Sequence, residues 1–137
     1  MSEDWWLSRL YDPEMKDVGD YIRYSRRLRE AVSPHIEALL RIGISVVLDF
    51  PANTPGIRAW MKTLVEQNGV DHRLHFLDVP AEVCKARLRA RNAAGTHDFA
   101  ASDAEFDQIT SYFIAPTEEE GFNIIRHTPA SDPLAEV

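Results

Sequence analysis

The sequence predicts an α/β fold built around a mostly parallel sheet, and two observations carry that reading. Near-continuous apolar, β-branched runs such as Ile44–Phe50 have the composition of strands buried on both faces, the pattern of parallel sheets. Such runs alternate with helical segments over units of about 30 residues, which is the rhythm of strand–helix–strand folds. At 137 residues the chain is one domain's worth of material and can bury a single core without staples.

The elements follow in order. Trp5 to Tyr11 is short and amphipathic, and Asp12-Pro13 breaks it. From Asp17 to about Arg41, residues Val18, Tyr21, Leu28, Val32, Ile36, Leu39 and Leu40 recur near helical spacing. Ser33-Pro34 interrupts the pattern and predicts a kink or a fresh helix start, because a residue before proline resists the α region. Gly43 ends the segment, and Ile44 to Phe50 is the first strand. Asn53 or Thr54 then caps a helix with Pro55 at its start, running to about Gln67 before Gly69. Arg73 to Val79 is the second strand, and a helix from about Ala81 to Ala93 follows it. Beyond a polar loop, Ser102 and Glu105 form a capping box that opens a helix to about Phe113. Pro116 to Gly121 is an acidic loop, Phe122 to Arg126 a third strand, and residues 128–137 a frayed tail.

Charge and composition narrow the function. Formal net charge is −7, so whole-surface attraction to nucleic acid or anionic membrane is not expected. Of 15 Lys and Arg residues only Lys16, Lys62 and Lys85 are lysines, and arginine's planar fork suits phosphate or carboxylate oxygens taken in pairs. Cys84 is the only cysteine, which rules out an internal disulfide and fits a reducing, cytoplasmic setting. No apolar run reaches the roughly 18 residues of a membrane span. His35, His72, His75, His97 and His127 have no ligand-like spacing.

Three features carry candidate chemistry. Asp49 sits near the end of the most apolar strand, where open α/β sheets collect ligands, and a carboxylate there is placed to hold Mg²⁺ or its water shell. The bland alternative is a cap for the following loop. Asp78 is the same kind of signal at the end of the next strand, but reads more readily as a cap to the Pro80 turn. Arg87 and Arg91 are four apart and share a helix face, while Arg89 points elsewhere. Such a pair suits the charge of a transferring phosphoryl group, or else is a solvated face pairing with Glu82 or Glu118–Glu120. The stretch Tyr21 to Arg29 interleaves aromatics and arginines in a manner that could meet single-stranded nucleic acid. Asp17, Asp20 and Glu30 dilute its field, and a helix with one packed face is the simpler reading. All six glycines are isolated and none precedes lysine, so the phosphate-cradling Gly-x-x-x-x-Gly-Lys-Ser/Thr does not occur in this sequence.

The string GISVVLDFPANT over residues 43–54, then Arg58 and Trp60, then LHFLDVPAEVCKARLRARN, then Phe113 to Pro116 and EEEGF, resembles a bacterial family. These are the predicted ATP-binding P-loop kinases related to zeta toxins, polynucleotide kinase and chloramphenicol phosphotransferase. The likeness runs from about Ser2 to His127. It implies a three-layer P-loop kinase-like sheet, with ATP and Mg²⁺ as cofactors and transfer to a hydroxyl of a small molecule or nucleotide. It also implies that a first strand, Walker A loop and helix, about 35–40 residues, would precede Ser2.

By the same resemblance, Asp4 falls where the acceptor's proton is taken and Asp49 matches the Walker B acid that holds the metal. Arg58 matches an arginine that positions substrate or phosphate. Arg87 and Arg91 match lid arginines, with residues 92–102 as the lid. Without the Walker lysine the chain alone is expected to be impaired in ATP binding and turnover. Two competing readings are a non-catalytic, oligomerising or partner-binding remnant and a nucleic-acid module.

The absent strand would lie between those matching Ile44–Phe50 and Arg73–Val79. Its absence leaves those two strands to pair directly or something else to fill the slot, and without the helix that would follow it one sheet face is left uncovered. That face would carry Val46, Leu48, Leu74, Phe76 and Ile124, or the alternating set including Val47, Leu77 and Ile125. Covering it is expected to produce a homodimer or larger assembly.

Overall fold

The computed structural model describes residues 1–95 and 99–129. In chain order these form α1 (Glu3–Tyr11), α2 (Val18–Arg41), α3 (Pro55–Asn68), β1 (Leu74–Leu77), α4 (Ala81–Ala94), α5 (Asp103–Ser111), a 3₁₀ turn (Glu118–Glu120) and β2 (Ile124–His127). Local chemistry sets most of the boundaries. The Thr54 hydroxyl accepts from the Ile57 amide at 3.3 Å, with Pro55 in the first turn. Gly69 ends α3 at φ 58°, a left-handed turn open to glycine at no steric cost. At α5 the capping box forms in full: Ser102 accepts from the Glu105 amide, and the Glu105 carboxylate accepts from the Ser102 amide at 2.8 Å.

Pro34 does not divide α2, which runs unbroken from Val18 to Arg41. The expected kink or restart is replaced by tertiary anchoring. The Ser33 hydroxyl donates to the Arg29 carbonyl at 2.6 Å and accepts from the Trp60 indole at 2.8 Å. This fixes the turn on which proline removes a backbone bond.

The fold is α/β, but its sheet is smaller than the sequence suggests. Among the described residues only β1 and β2 form a ladder, parallel, with Leu74 opposite Ile124 and Leu77 opposite His127. Residues 44–50 make no ladder; a single parallel bridge joins Asp49 to Ser2. Around it the Met1 amine donates to the Val47 carbonyl (2.7 Å), the Asp49 amide to the Met1 carbonyl (2.8 Å) and the Glu3 amide to the Asp49 carbonyl (3.0 Å). A strand needs partners on its edges, and this one has only residues 1–3 alongside.

The expectation of burial on both faces fails for the same reason. Val47 is 77% and Leu77 70% exposed, while Val46, Leu48, Leu74 and Phe76 are half-buried. Of the two alternating sets, the one containing Val47 and Leu77 is therefore exposed, although Ile125 itself is half-buried. Nor do residues 44–50 pair directly with β1.

The core lies on the other side. Leu7 of α1, Leu28 of α2 and Phe50 form its buried centre, with Trp6, Val32, Leu48, Trp60 and Met61 packed around it. It ties α1, α2, α3 and the 44–50 segment into one unit. Leu28 is fully buried at its middle, and truncation there removes transfer energy and leaves a void. Leu28→Ala is therefore expected to cost about 2–5 kcal/mol, read from the shift in urea midpoint. A change below about 1 kcal/mol would place the core elsewhere.

Candidate active site

Asp4 lies in the first turn of α1, half-buried, where the helix dipole favours a carboxylate. Its neighbour Glu3 is only 1% exposed. The Glu3 carboxylate accepts from the Tyr21 hydroxyl at 2.8 Å, and Arg29 stands 3.5 Å from its other oxygen. Burial pushes the Glu3 carboxyl above its ordinary range, against the hydrogen bond from Tyr21 and the charge of Arg29. Burial pushes the Tyr21 phenol up as well, helped by the negative charges of Glu3 and Asp4. The Ser2–Asp49 bridge sets Asp49 beside the start of α1. Because the two segments run parallel, Asp4 and Asp49 both sit at carboxyl ends, the side on which α/β sheets bind ligands. The Asp49 side chain is exposed there.

The arginines part company. Arg87 and Arg91 lie exposed on α4 and make no hydrogen bond or ion pair among the described residues. Arg89 faces elsewhere, as its spacing predicts, and binds Asp103 of α5. Lys85 reaches Asp107 at 2.7 Å, and Asn92 donates to the Ala101 carbonyl at 2.8 Å. Together these contacts hold α5 and the 99–101 segment against α4. Residues 92–94 of the expected lid belong to α4, while Thr96, His97 and Asp98 lie outside the described residues, as do 130–137 of the expected tail.

Arg58 does not take the place expected of it. It is 0% exposed, and its five N–H donors are all occupied by the protein. Nε and Nη2 grip the two Glu120 carboxylate oxygens at 2.6 and 2.8 Å. Nη1 donates to the Ala52 and Ile114 carbonyls at 2.8 and 2.7 Å, and Nη2 to the Ala115 carbonyl at 3.5 Å. No N–H remains for a phosphate. The anion site expected from Arg58, Arg87 and Arg91 together is thus reduced to the pair on α4. The physical reason is the carboxylate and carbonyl cage around Arg58, which satisfies the fork completely.

Sequence reasoning missed two partners. Glu120 was one of three adjacent glutamates in a loop, and nothing local distinguishes it from Glu118 and Glu119. Glu3, Tyr21 and Arg29 lie on two elements, and nothing in their spacing marks them as partners. Asp78 is held by Arg126, with Nε 2.9 Å from a carboxylate oxygen, so its cap reading becomes an ion pair across β1 and β2. In the Tyr21–Arg29 stretch the aromatics are turned to protein partners. Tyr24 stacks on Tyr11 at 4.3 Å, with Arg23 over its ring.

The Arg58 cage makes a stability prediction. Removing either partner leaves an uncompensated buried charge or its equivalent, which costs about 3–5 kcal/mol. Arg58→Ala and Arg58→Lys are both expected to destabilise strongly, since lysine cannot fill a forked cage. The hydrogen bond from Arg58 lowers the Glu120 carboxyl below its ordinary 4.5. A lowered carboxyl stabilises the fold above its unfolded value, and that stability is lost as pH falls through the folded value. Glu120→Gln should therefore lower the urea midpoint at pH 7 and flatten its fall in acid. An unchanged acid limb would remove Glu120 from this role.

A family model described as an AAA domain matches residues 1–116. None of the curated proteins and none of the solved structures compared matches the chain. No helix among the described residues is long and apolar enough to cross a membrane. With that match over most of its length, and with parallel segments carrying Asp4 and Asp49 at their carboxyl ends, the chain belongs to the AAA-domain, P-loop kinase-like family.

Proposed function

We propose that this chain carries the acceptor-side and metal-side parts of a phosphotransferase that moves a phosphoryl group from ATP to a hydroxyl of a small molecule. The observation that supports this reading best is the Ser2–Asp49 bridge, because it sets Asp4 and Asp49 at neighbouring carboxyl ends. In this reading Asp4 accepts the proton of the acceptor hydroxyl as the new bond forms. Asp49 holds Mg²⁺ or its water shell, and Arg87 and Arg91 offset charge on the transferring group.

The residues fit one part of the cofactor set and not the other. An exposed carboxylate at a strand end suits the water shell of Mg²⁺. A triphosphate needs a lysine and consecutive backbone amides at a helix start, and neither the sequence nor the fully engaged Arg58 offers them. In this reading the chain's own residues orient the acceptor, hold its proton at Asp4 and would hold the metal's water shell at Asp49, without a cradle for the triphosphate. ATP·Mg²⁺ is expected to bind the chain more weakly than about 1 mM, or less than roughly 4 kcal/mol, by calorimetric titration. Micromolar binding would require a phosphate cradle from other residues.

A second reading, a self-associating protein, is favoured by the exposure of Val47 and Leu77. A second copy of the chain is the proposed occupant of this exposed face. Light scattering at tens of micromolar should then give a dimer or larger species that Val47→Lys and Leu77→Lys dissociate. A monodisperse 15.6 kDa species would refute it.

A further inference from the structure

A half-open cavity of about 170 Å³ lies between the start of α2, residues 99–101 and α5. Its apolar wall is Met15, Val18, Tyr21, Phe99, Ala101 and Ile109. A buried apolar cavity of about 150 Å³ is enough to hold benzene, so this space takes one six-membered ring with small substituents. It falls below the ~300–1,000 Å³ of pockets for drug-sized ligands, a category that includes whole nucleotides.

Tyr21 links this cavity to the acceptor end of the site. Its ring lines the cavity, and its hydroxyl donates to Glu3, the residue before Asp4. The charge of Asp4 is felt at the same phenol. The charged groups around the cavity are Asp17, Glu105 and Lys16, and the Tyr21 hydroxyl bonds Glu3, which Arg29 faces and Asp4 follows in sequence. Carboxylates outnumber cations, so a second anion entering here meets repulsion. A neutral or cationic ring does not.

We infer that this cavity is the acceptor pocket, and that it selects an uncharged or cationic hydroxy compound bearing a single apolar ring over nucleotides and other phosphorylated acceptors. The inference rests on the phosphotransferase reading only in taking Asp4 as the mark of the acceptor end.

The test is an amide-resonance titration of the full chain with two probes, benzyl alcohol and phenyl phosphate. Benzyl alcohol is expected to move the Val18, Tyr21, Ala101 and Ile109 signals with millimolar affinity, and phenyl phosphate to bind at least about tenfold more weakly. Ala101→Leu fills the space and should weaken benzyl alcohol by about tenfold or more; Ile109→Phe serves if the first variant does not fold. Asp4→Asn should leave benzyl alcohol bound and narrow its preference over phenyl phosphate.

Absence of those shifts at about 20 mM benzyl alcohol, equal binding of phenyl phosphate, or unaltered binding to a folded filled variant would each overturn the pocket. A preference that Asp4→Asn does not move would overturn its assignment to the acceptor. Each of these outcomes leaves the metal side of the phosphotransferase reading, at Asp49, untouched, because neither probe meets that half of the chemistry.

Discussion

The cage around Arg58 is the constraint on which the rest of the structure depends. A guanidinium with no exposure carries a desolvation cost that only a complete set of partners offsets, and here the partners come from three places in the chain. Ala52 precedes α3, Ile114 and Ala115 follow α5, and Glu120 lies in the 3₁₀ turn before β2. The side chain therefore holds three connections at once. The Ile114 amide reinforces it by donating to the Asn53 carbonyl at 2.9 Å. Lys62, one helical turn along from Arg58, adds a hydrogen bond to the Gly121 carbonyl and a contact over the Phe122 ring. Through these contacts the β1–β2 pair is fixed to α3, although no strand joins it to the 44–50 segment.

On the other side of the molecule the organising group is Glu3. Its burial is tolerable because Tyr21 donates to one oxygen and Arg29 stands beside the other. Arg29 also lies over the Trp60 ring, so the same cluster reaches α3. The result is a rigid seat for the first turn of α1, set between the core of Leu7, Leu28 and Phe50 and the Asp49 segment. The contacts that bury Glu3 also place its neighbour Asp4.

The open sheet gives this chain its ambiguity. A ladder with one neighbour and a segment with one bridge leave backbone groups and apolar side chains facing outward. The fragment that is well packed is the helical side, whereas the sheet side presents Val47 and Leu77. The placement of Asp49 beside the start of α1 and the exposure of Val47 belong to the same segment, which has only residues 1–3 alongside it. A parallel sheet that ends where its ligands gather also exposes whatever edge is not filled.

Much of this was legible in the sequence. Helical periodicity, the Thr54–Pro55 start, the Gly69 stop and the Ser102–Glu105 box are local signals, and local backbone chemistry suffices to realise them. The opposed faces of Arg87/Arg91 and Arg89 are equally local, since spacing alone fixes them. The tertiary structure decided the rest. Whether Ile44–Phe50 becomes a ladder depends on a neighbour, and no property of the run itself supplies one. Pro34 stays within a helix because Trp60 anchors the Ser33 turn from another element. Arg58 is a clamp and not a phosphate ligand because Glu120, 62 residues away, arrives with the right geometry. Burial and pairing at such distances are properties of the assembled fold, and a fork of five donors reads the same in sequence whether it meets a substrate or a carboxylate of its own chain.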